Sequence, residues 1–357
     1  MTADSVGETS PDPELLDAAR GGDGDAFRWL VEPYRREIHA HCYRMLGSVH
    51  DAEDALQDML LRAWRGMPRF EGRSSLRSWL YRIATNVCLD RISQRAKRAL
   101  PVSYGPAADP DVDPGEPLIE STWVEPYPDE RQGMGDGYAS PEARYERRES
   151  VELGFIVALQ LLPATQRAVL ILRDVLGFSA REVAESLATT VASANGALRR
   201  ARKAVAQTLP ARSQQANLRA LGDDGVRQLV ERYIDAWERG DVAAILALLA
   251  EDATFAMPPL PTWYRGHDAI AAFLVRSPLR EHWRLVPARA NGQLAFGAYA
   301  LDPDTGSYTP LSLDVLTLDG PLATEITSFV APQTSGPDRE RFAHEVFSRF
   351  GLPGQLD

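Results

Sequence analysis

The sequence predicts a multidomain protein in which two all-α modules are followed by an α+β domain with a curved antiparallel sheet. Its 357 residues are enough for two or three domains. Apolar residues recur at helical spacing through residues 26–99 and again through residues 150–208. Short β-type runs, broken by turns such as Asn291-Gly292 and Asp319-Gly320, follow between residues 220 and 332.

The helices of the two modules have recognisable ends. In the first module we expect helices over 26–50, with Pro33 at a kink or a start, over 51–65, capped by Asp51, and over 76–98, capped by Ser74 or Ser75. In the second we expect helices over 151–162, 164–175 and 179–187, and a fourth from Ser193 to about residue 207. Ser179 and Glu182 form a capping-box pattern at the third of these.

In the α+β domain, two helices over 224–239 and 242–250 lead into the sheet. The predicted strands are 253–257, 282–290, 293–301, 312–318 and 323–328. A last helix over 337–350 closes the chain. The six segments are a flexible acidic N-terminus (1–25), the first module (26–99), a linker (100–149), the second module (150–212), the α+β domain (220–332), and a C-terminal helix and tail (333–357).

The composition excludes several classes of protein. Apolar residues make up 44% of the chain and charged residues 25%, which excludes a wholly disordered, collagenous or coiled-coil protein. No run of about 18 uncharged apolar residues occurs, so we expect no membrane span. The acidic N-terminus lacks the apolar core of a signal peptide, which favours the cytoplasm. Cys42 and Cys88 are too few for a disulfide scaffold, and no ligand cluster indicates a metal or a cofactor.

The charge is unevenly distributed along the chain. The formal net charge is -11. Residues 26–99 carry +6 and residues 151–212 carry +4, whereas residues 1–25, 100–150 and 213–357 carry -6, -8 and -7. Because local fields decide contact with a polyanion, the two basic modules remain candidates for binding nucleic acid.

The linker is rich in proline and acidic residues, a composition that buries too little apolar surface to fold alone. Trp123, Pro126 and Tyr127 stand out within it. These residues indicate either a segment that docks on a neighbouring surface or aromatic side chains that are incidental to a loop.

The pattern from Ser179 to Lys203 predicts a helix-turn-helix. A helix in the major groove needs short polar side chains near its start, for base edges, and basic side chains further along, for phosphates. Ser193 and Asn195 suit the first role. Arg199, Arg200 and Lys203 suit the second role, and Arg202 projects from the same helix. A helical hairpin with a solvated basic face would give the same pattern.

Two further patterns lie in the first module. Asp51, Asp54 and Asp58 lie near one face of a helix, where they could bind a basic protein surface or merely favour the helix dipole. Residues 70–98 interleave basic residues with aromatic ones such as Trp79. That arrangement suits single-stranded nucleic acid, although a core aromatic stripe with a solvated basic face explains it too.

Residues 26–99 and 150–208 resemble regions two and four of the extracytoplasmic-function sigma factors of the sigma-70 family. DAEDALQDMLLRAW resembles the helix that contacts the clamp of the largest polymerase subunit, and FEGRSSLRSWLYRIATNVCLDRISQR resembles the stretch that recognises and melts the −10 element. LPATQRAVLILRDVLGFSAREVAESLATTVASANGALRRARKA resembles the −35-reading module. The resemblance implies a region 2 helical bundle and a region 4 helix-turn-helix, with core RNA polymerase (clamp and flap regions) and promoter DNA as partners.

The resemblance also implies site residues. Those facing the polymerase would be Asp51, Asp54, Gln57, Asp58 and Leu61. Those at the −10 element would be Arg77, Trp79, Asn86, Arg91 and Arg95, with Asn86 near the pocket for a flipped base. Those at the −35 element would be Ser193, Asn195, Arg199, Arg200, Arg202 and Lys203. Many members carry a basic residue, Ser and Arg where this chain has Asn195-Gly196-Ala197, so the −35 sequence it reads is not implied.

The C-terminal domain resembles the cone-shaped SnoaL-like fold related to nuclear transport factor 2, through VRQLVERYIDAWERGDVAAILALLAEDATFAMPP, WYRG and HDAIAAFL. ANGQLAFGAY and WVEPYPDE resemble the mycobacterial SigG-type subgroup of factors. The resemblance implies that this domain tunes activity from within the chain. Candidate pocket residues for a small ligand, which are equally candidate core residues, are Tyr233, Trp237, Phe255, Trp263 and Asp314.

The sequence therefore predicts a sigma factor that is not an enzyme, uses no metal or cofactor, contacts no membrane, and is modulated in cis by its C-terminal domain. Two alternatives stay open. One is a helix-turn-helix regulator that binds duplex DNA alone. The other is a bifunctional protein whose cone is an enzyme using Asp314 with His267.

Overall fold

A computed structural model of the chain describes residues 12–94, 97–118, 123–129, 149–210, 212–331, 342 and 345–357. The chain forms two compact units. The first is built from residues 1–95 and 162–204, and the second from residues 96–161 and 205–357. The boundary between the units therefore falls inside the second helical module, because residues 153–161 belong with the C-terminal part of the chain.

The helices of the described residues are α1 (Pro13–Arg20), α2 (Gly24–Leu46), α3 (Val49–Gly66), α4 (Leu76–Ser93), α5 (Pro101–Tyr104), α6 (Leu153–Leu161), α7 (Ala164–Leu170), α8 (Ala180–Ser186), α9 (Val191–Ala206), α10 (Gln214–Glu238), α11 (Val242–Leu246) and α12 (His267–Arg276). The strands are β1 (Leu249–Ala256), β2 (Trp263–Arg265), β3 (Trp283–Ala290), β4 (Gln293–Leu301), β5 (Tyr308–Asp319) and β6 (Leu322–Val330). None of these helices combines the length and apolarity that crossing a bilayer demands.

Side-chain caps fix the helix ends of the first unit. Ser48, and not Asp51 as the sequence suggests, caps α3, because its Oγ accepts from the Asp51 amide at 3.0 Å. Ser75 caps α4, which ends at Ser93 rather than continuing to residue 98. The capping box of Ser179 and Glu182 at α8 is confirmed.

The first unit is held by aromatic and aliphatic packing among α2, α3 and α4. Phe27 on α2 meets Trp64 on α3 with ring centroids 5.2 Å apart. The rings of Phe70 and Trp79 of α4 lie 4.9 Å apart, and both side chains are buried. Pro33 lies inside α2, which continues unbroken through it. A five-residue π-helical turn extends α7.

The second unit contains a six-stranded sheet in the order β2-β1-β6-β5-β4-β3. The predicted α+β class is confirmed, but the sheet is mixed because β1 runs parallel to β6 while the other neighbours are antiparallel. One face of the sheet packs against α10 and α12. That core contains Tyr233 and Trp237 of α10, Phe273 of α12, and Phe296 and Leu316 of the sheet.

Several element bounds in this unit differ from the sequence prediction. β4 has its predicted bounds, but β2 was not predicted, since a three-residue strand leaves no alternating pattern to detect. Helix α10 begins already at Gln214, with Gly222 in a non-helical conformation inside it. Of the helix predicted over 337–350, the described part contains a 3-10 turn over Phe347–Phe350, and residues 337–341 lie outside the described residues.

Candidate functional site

The acidic ridge of α3 is shorter than the sequence predicts. Asp54 and Asp58 are partly exposed, and Gln57 and Leu61 are exposed beside them. Asp51 is buried in the first turn and so does not belong to the exposed ridge. Of the five residues predicted to face the polymerase, two carboxylates, one amide and one apolar side chain are therefore within reach of a partner.

Arg91 of α4 is bonded to this ridge. Its Nη2 donates to Asp58 Oδ2 at 2.6 Å, and its Nη1 lies 3.6 Å from Asp54 Oδ2. Burial lowers the pKa of Arg91, but the Asp58 and Asp54 carboxylates outweigh it and hold that pKa above the usual value. A residue assigned to DNA and two assigned to the polymerase thus share one ion-pair network.

The other residues assigned to the −10 element lie in different environments along α4. Asn86 is exposed. Trp79 is only 7% exposed and packs in the core, so its burial favours the core role over contact with DNA. Arg77 is paired with Glu37 at 3.3 Å and lies 5.0 Å from the ring of Phe178. Arg95 lies outside the described residues.

Helices α7 and α8 of the second helical module pack against the first module within the first unit. Glu182, the capping-box residue of α8, accepts a hydrogen bond from Ser78 Oγ of α4 at 3.0 Å. The buried Arg167 of α7 donates to the carbonyl of Met45 at the end of α2. Burial lowers the pKa of Arg167 to about 10. These contacts place the start of the helix-turn-helix beside the amino-terminal half of α4.

Helix α9 presents the residues predicted for the −35 element. Ala194, Ala197, Leu198 and Ala201 are its buried face. The residues predicted for the −35 element are all exposed on this helix: Ser193, Asn195, Arg199, Arg200, Arg202 and Lys203. Arg202 is not a free cation, because it forms a two-bond pair with Asp174 at 2.7 and 2.8 Å. The geometry therefore leaves three basic side chains and two short polar ones available to a groove.

The linker is fastened to the C-terminal domain within the second unit. Trp123, Pro126 and Tyr127 are buried. The indole Nε1 of Trp123 donates to the carbonyl of Pro259 at 3.0 Å. Tyr127 pairs with Asn291 in both directions, since each backbone amide bonds an oxygen of the other residue at 2.8 Å.

Asn291 belongs to the tight turn between β3 and β4, and this turn also holds the start of the second helical module. Its backbone is left-handed (φ 56°) and its side chain is fully buried. Nδ2 of Asn291 donates to the Val151 carbonyl at 2.7 Å, and the neighbouring Gln293 accepts from the Leu153 amide at 2.8 Å. We call Asn291, Gly292 and Gln293 the clasp turn.

A buried carboxylate completes this arrangement. Glu152, just before α6, accepts from the Gln215 amide in the first turn of α10 at 2.9 Å. Gln215 in turn donates from Nε2 to the carbonyl of Gly292. Burial raises the pKa of Glu152 to about 7. The clasp turn and Glu152 together join the linker, the start of α6 and the start of α10.

The candidate pocket residues are only partly brought together. Tyr233, Trp237 and Phe255 share the cone core, and Tyr233 stacks on Phe296, the register neighbour of Asp314. Trp263 lies on the other side of β2, where its Nε1 donates to the Gly105 carbonyl of the linker at 2.9 Å. Trp263 is therefore not a residue of the cone interior.

Asp314 is buried and hydrogen-bonded. It accepts from Ser312 at 2.9 Å and Ser328 at 2.6 Å, and burial raises its pKa to about 6. His267 bonds the Leu249 carbonyl at 3.2 Å. Within the described ranges, His, Cys, Asp and Glu side chains form no group of three that could hold a metal ion.

Comparisons with known proteins agree with this architecture. Family models described as "Sigma-70 region 2", "Sigma-70, region 4" and "SnoaL-like domain" match residues 30–98, 154–205 and 230–322. The chain is 39% identical over 345 residues to the ECF RNA polymerase sigma factor SigG of Mycobacterium tuberculosis, covering 94% of this chain and 86% of the relative. The chain belongs to the ECF sigma factors.

Two further matches to this sigma factor cover less of it or have a lower sequence identity. It is 32% identical over 190 residues to the ECF sigma factor SigW of Bacillus subtilis, which covers 53% of this chain and 91% of that protein. The crystal structure of M. tuberculosis SigJ superposes with a TM-score of 0.53 at 21% identity, covering 91% of this chain and 99% of SigJ, and so shares the fold. As an ECF sigma factor, the protein binds core RNA polymerase and directs promoter-specific initiation.

Several residues of this sigma factor were not found by sequence reasoning. Asn291 was recognised only as part of a turn, and Glu152 and Gln215 carried no signal at all. Their partners lie more than 60 residues away along the chain, so no local spacing marks them. Glu37, the partner of Arg77, was missed for the same reason.

Proposed function

We propose that this sigma factor acts in the cytoplasm through three surfaces and is controlled in cis by its C-terminal domain. The exposed ridge of α3 faces the clamp of the polymerase. Asn86 of α4 lies at the −10 element. The exposed face of α9, with Asn195 and Arg199, enters the groove at the −35 element. The exposure of these side chains and their placement on separate helices support this division.

The C-terminal domain acts as the anchor of the linker and of the first helix of region 4. The observation that carries this proposal is the clasp turn, which bonds Tyr127, Val151 and Leu153 at 2.7–2.8 Å. Opening the contact would exchange these hydrogen bonds for bonds to water, which costs about 0.5–1.5 kcal/mol each. It would also expose the buried side chains of Tyr127, Val151 and Leu153. The domain is therefore required for region 4 to keep its first helix in place.

We also propose that the cone is not catalytic. Asp314 receives two serine hydroxyls and lies in an apolar core, which suits a structural carboxyl group. His267, the acid–base partner that the sequence suggested for Asp314, is bonded to a backbone carbonyl instead. These contacts favour a role in holding the chain over a role in turning over a substrate.

The test is run-off transcription on fragmented genomic DNA with purified bacterial core polymerase. Removing the domain at residue 212 is not a clean perturbation, because the cut also removes the partners of Val151 and Leu153. We would instead compare the full chain with a Trp123→Ala, Tyr127→Ala double variant. Val112→Ala is the matched control, since that linker side chain is exposed.

We expect discrete transcripts from the full chain and the control, and several-fold weaker ones from the double variant at equal core occupancy. Unchanged or stronger transcripts from the double variant would contradict the anchoring role. Absence of core binding by the full chain, together with stable duplex binding in a gel shift, would favour a regulator that acts on DNA alone.

A further inference from the structure

The seam between α3 and α4 joins residues that have different proposed tasks. Asp54 and Asp58 stand one helical turn apart on α3, and Arg91 lies in the last turn of α4. The Arg91 guanidinium reaches both carboxylates, at 3.6 and 2.6 Å. One arginine therefore balances one of the two negative charges that the ridge would offer to a basic partner.

The three side chains differ in how far a partner can reach them. Asp54 and Asp58 keep 42% and 47% of their side-chain surface exposed, whereas Arg91 keeps 20%. Arg91 uses only Oδ2 of each carboxylate, and its own Nε–H has no hydrogen-bond partner among the described residues. A basic surface can thus engage the carboxylates while the arginine is still beside them.

We propose that Arg91 couples polymerase binding to DNA binding by changing its partner. In the free factor it holds Asp54 and Asp58. When a basic surface of the polymerase takes these carboxylates, Arg91 is released and binds the phosphate backbone of the −10 strand. The inference rests on the proposed function, because it takes α3 as the helix that faces the polymerase.

The local charge explains why the released Arg91 would bind DNA. An arginine that has lost its counter-charges in a basic module is attracted to the nearest polyanion. Arg91 lies on the same helix as the exposed Asn86, at the C-terminal end where the helix dipole favours a cation. Core binding would then strengthen DNA binding, and by linkage DNA binding would strengthen core binding to the same degree.

The chain provides a matched control in the same seam. Arg62 of α3 pairs with Asp90 of α4 at 3.0 Å, and both side chains are exposed. In this pair the arginine lies on α3, the polymerase-facing helix, and the carboxylate lies on α4, which is the reverse of the Arg91 pairs. A basic surface that approaches α3 would not release Arg62, so Arg62 should not contribute to the coupling.

The experiment measures the affinity of the full chain for a fluorescent, mixed-sequence single-stranded DNA over a series of salt concentrations. Asp54→Asn with Asp58→Asn mimics loss of the carboxylates to a partner. We expect the slope of log affinity against log salt to steepen by about 0.7, the value for one added phosphate contact on a single strand. Adding Arg91→Gln should cancel this change, and adding Arg62→Gln should not.

An unchanged slope, or a steeper slope that persists with Arg91→Gln, would overturn the proposal, since the latter reflects only the lost negative charge. Circular-dichroism melting checks that each variant is folded, and Asp58→Asn alone replaces the double variant if that one unfolds. In the holoenzyme, Arg91→Gln should reduce the slope by about 0.7. A separate titration with core polymerase tests the role of α3: unchanged binding by the Asp54→Asn, Asp58→Asn variant would contradict the proposed function and not the DNA result.

Discussion

Replacing Asn291 by alanine is the sharpest test of the anchoring role of the C-terminal domain. The side chain accepts from the Tyr127 amide at 2.8 Å and donates to the Val151 carbonyl at 2.7 Å. Asn291→Ala leaves both buried groups without these bonds, which costs about 1–3 kcal/mol each. Alanine at φ 56° adds roughly 1 kcal/mol of backbone strain. The local free energy of opening should therefore fall by about 3–7 kcal/mol.

Asn291→Gly is the matched variant, because it loses the same two hydrogen bonds but tolerates the left-handed backbone. It should cost about 1 kcal/mol less than alanine. The difference between the two variants separates backbone strain from lost hydrogen bonding.

Amide hydrogen exchange followed residue by residue is the appropriate assay, since it reports local opening rather than global unfolding. Each 1.4 kcal/mol corresponds to about a tenfold change. Protection of the Tyr127 amide should thus fall by about 30-fold or more in both variants, while amides of α3 in the other unit keep theirs. Protection of Tyr127 that stays near the wild-type value in Asn291→Ala would refute the reasoning.

Three further predictions follow from single residues. Burial raises the folded-state pKa of Glu152 from 4.5 to about 7. The contribution of Glu152 to stability is therefore fully present below pH 4.5 and is lost as the pH rises through the folded-state pKa. The melting temperature should fall between these two pH values, and it should fall less in Glu152→Gln. Arg199→Ala should reduce the salt slope of duplex promoter binding by the holoenzyme by about 0.9, and an unchanged slope would remove Arg199 from the phosphate contacts. A Cβ at Gly297 would lie 2.7 Å from Leu352 and 3.1 Å from Phe347, so Gly297→Ala should destabilise the attachment of the C-terminal segment by about 1–3 kcal/mol, measurable as faster trimming by carboxypeptidase.

The parts of the fold that the sequence predicted are those specified by neighbours along the chain. The capping box at Ser179 and the bounds of β4 depend on residues within a few positions, and the structure has both. The exposed basic face of α9 also follows from helical spacing alone. Such features are local, so one sequence is sufficient to find them.

The parts that could not be predicted depend on partners far along the chain. Trp79 fits both a DNA-stacking and a core role by pattern, and only its contact with Phe70 and its burial decide for the core. Arg91 is one of several arginines in a basic stretch, and only the packing of α3 on α4 pairs it with Asp58. Asp51 was expected as a cap, but Ser48, three residues earlier, took that role with its hydroxyl.

The position of the clasp turn bears on how control in cis can work. A contact that must open easily would be expected at an exposed and polar surface, where water replaces each lost hydrogen bond. The bonds of Asn291 and Gln293 are buried instead, and they hold the linker and the first helix of region 4 at one place. Opening them together would give up several hydrogen bonds at once and expose the buried side chains of Tyr127, Val151 and Leu153, which makes a frequent open state unfavourable. In the proposed anchoring role, the C-terminal domain therefore keeps hold of α6 with the clasp turn closed, and we expect any signal that it relays to act by shifting α6.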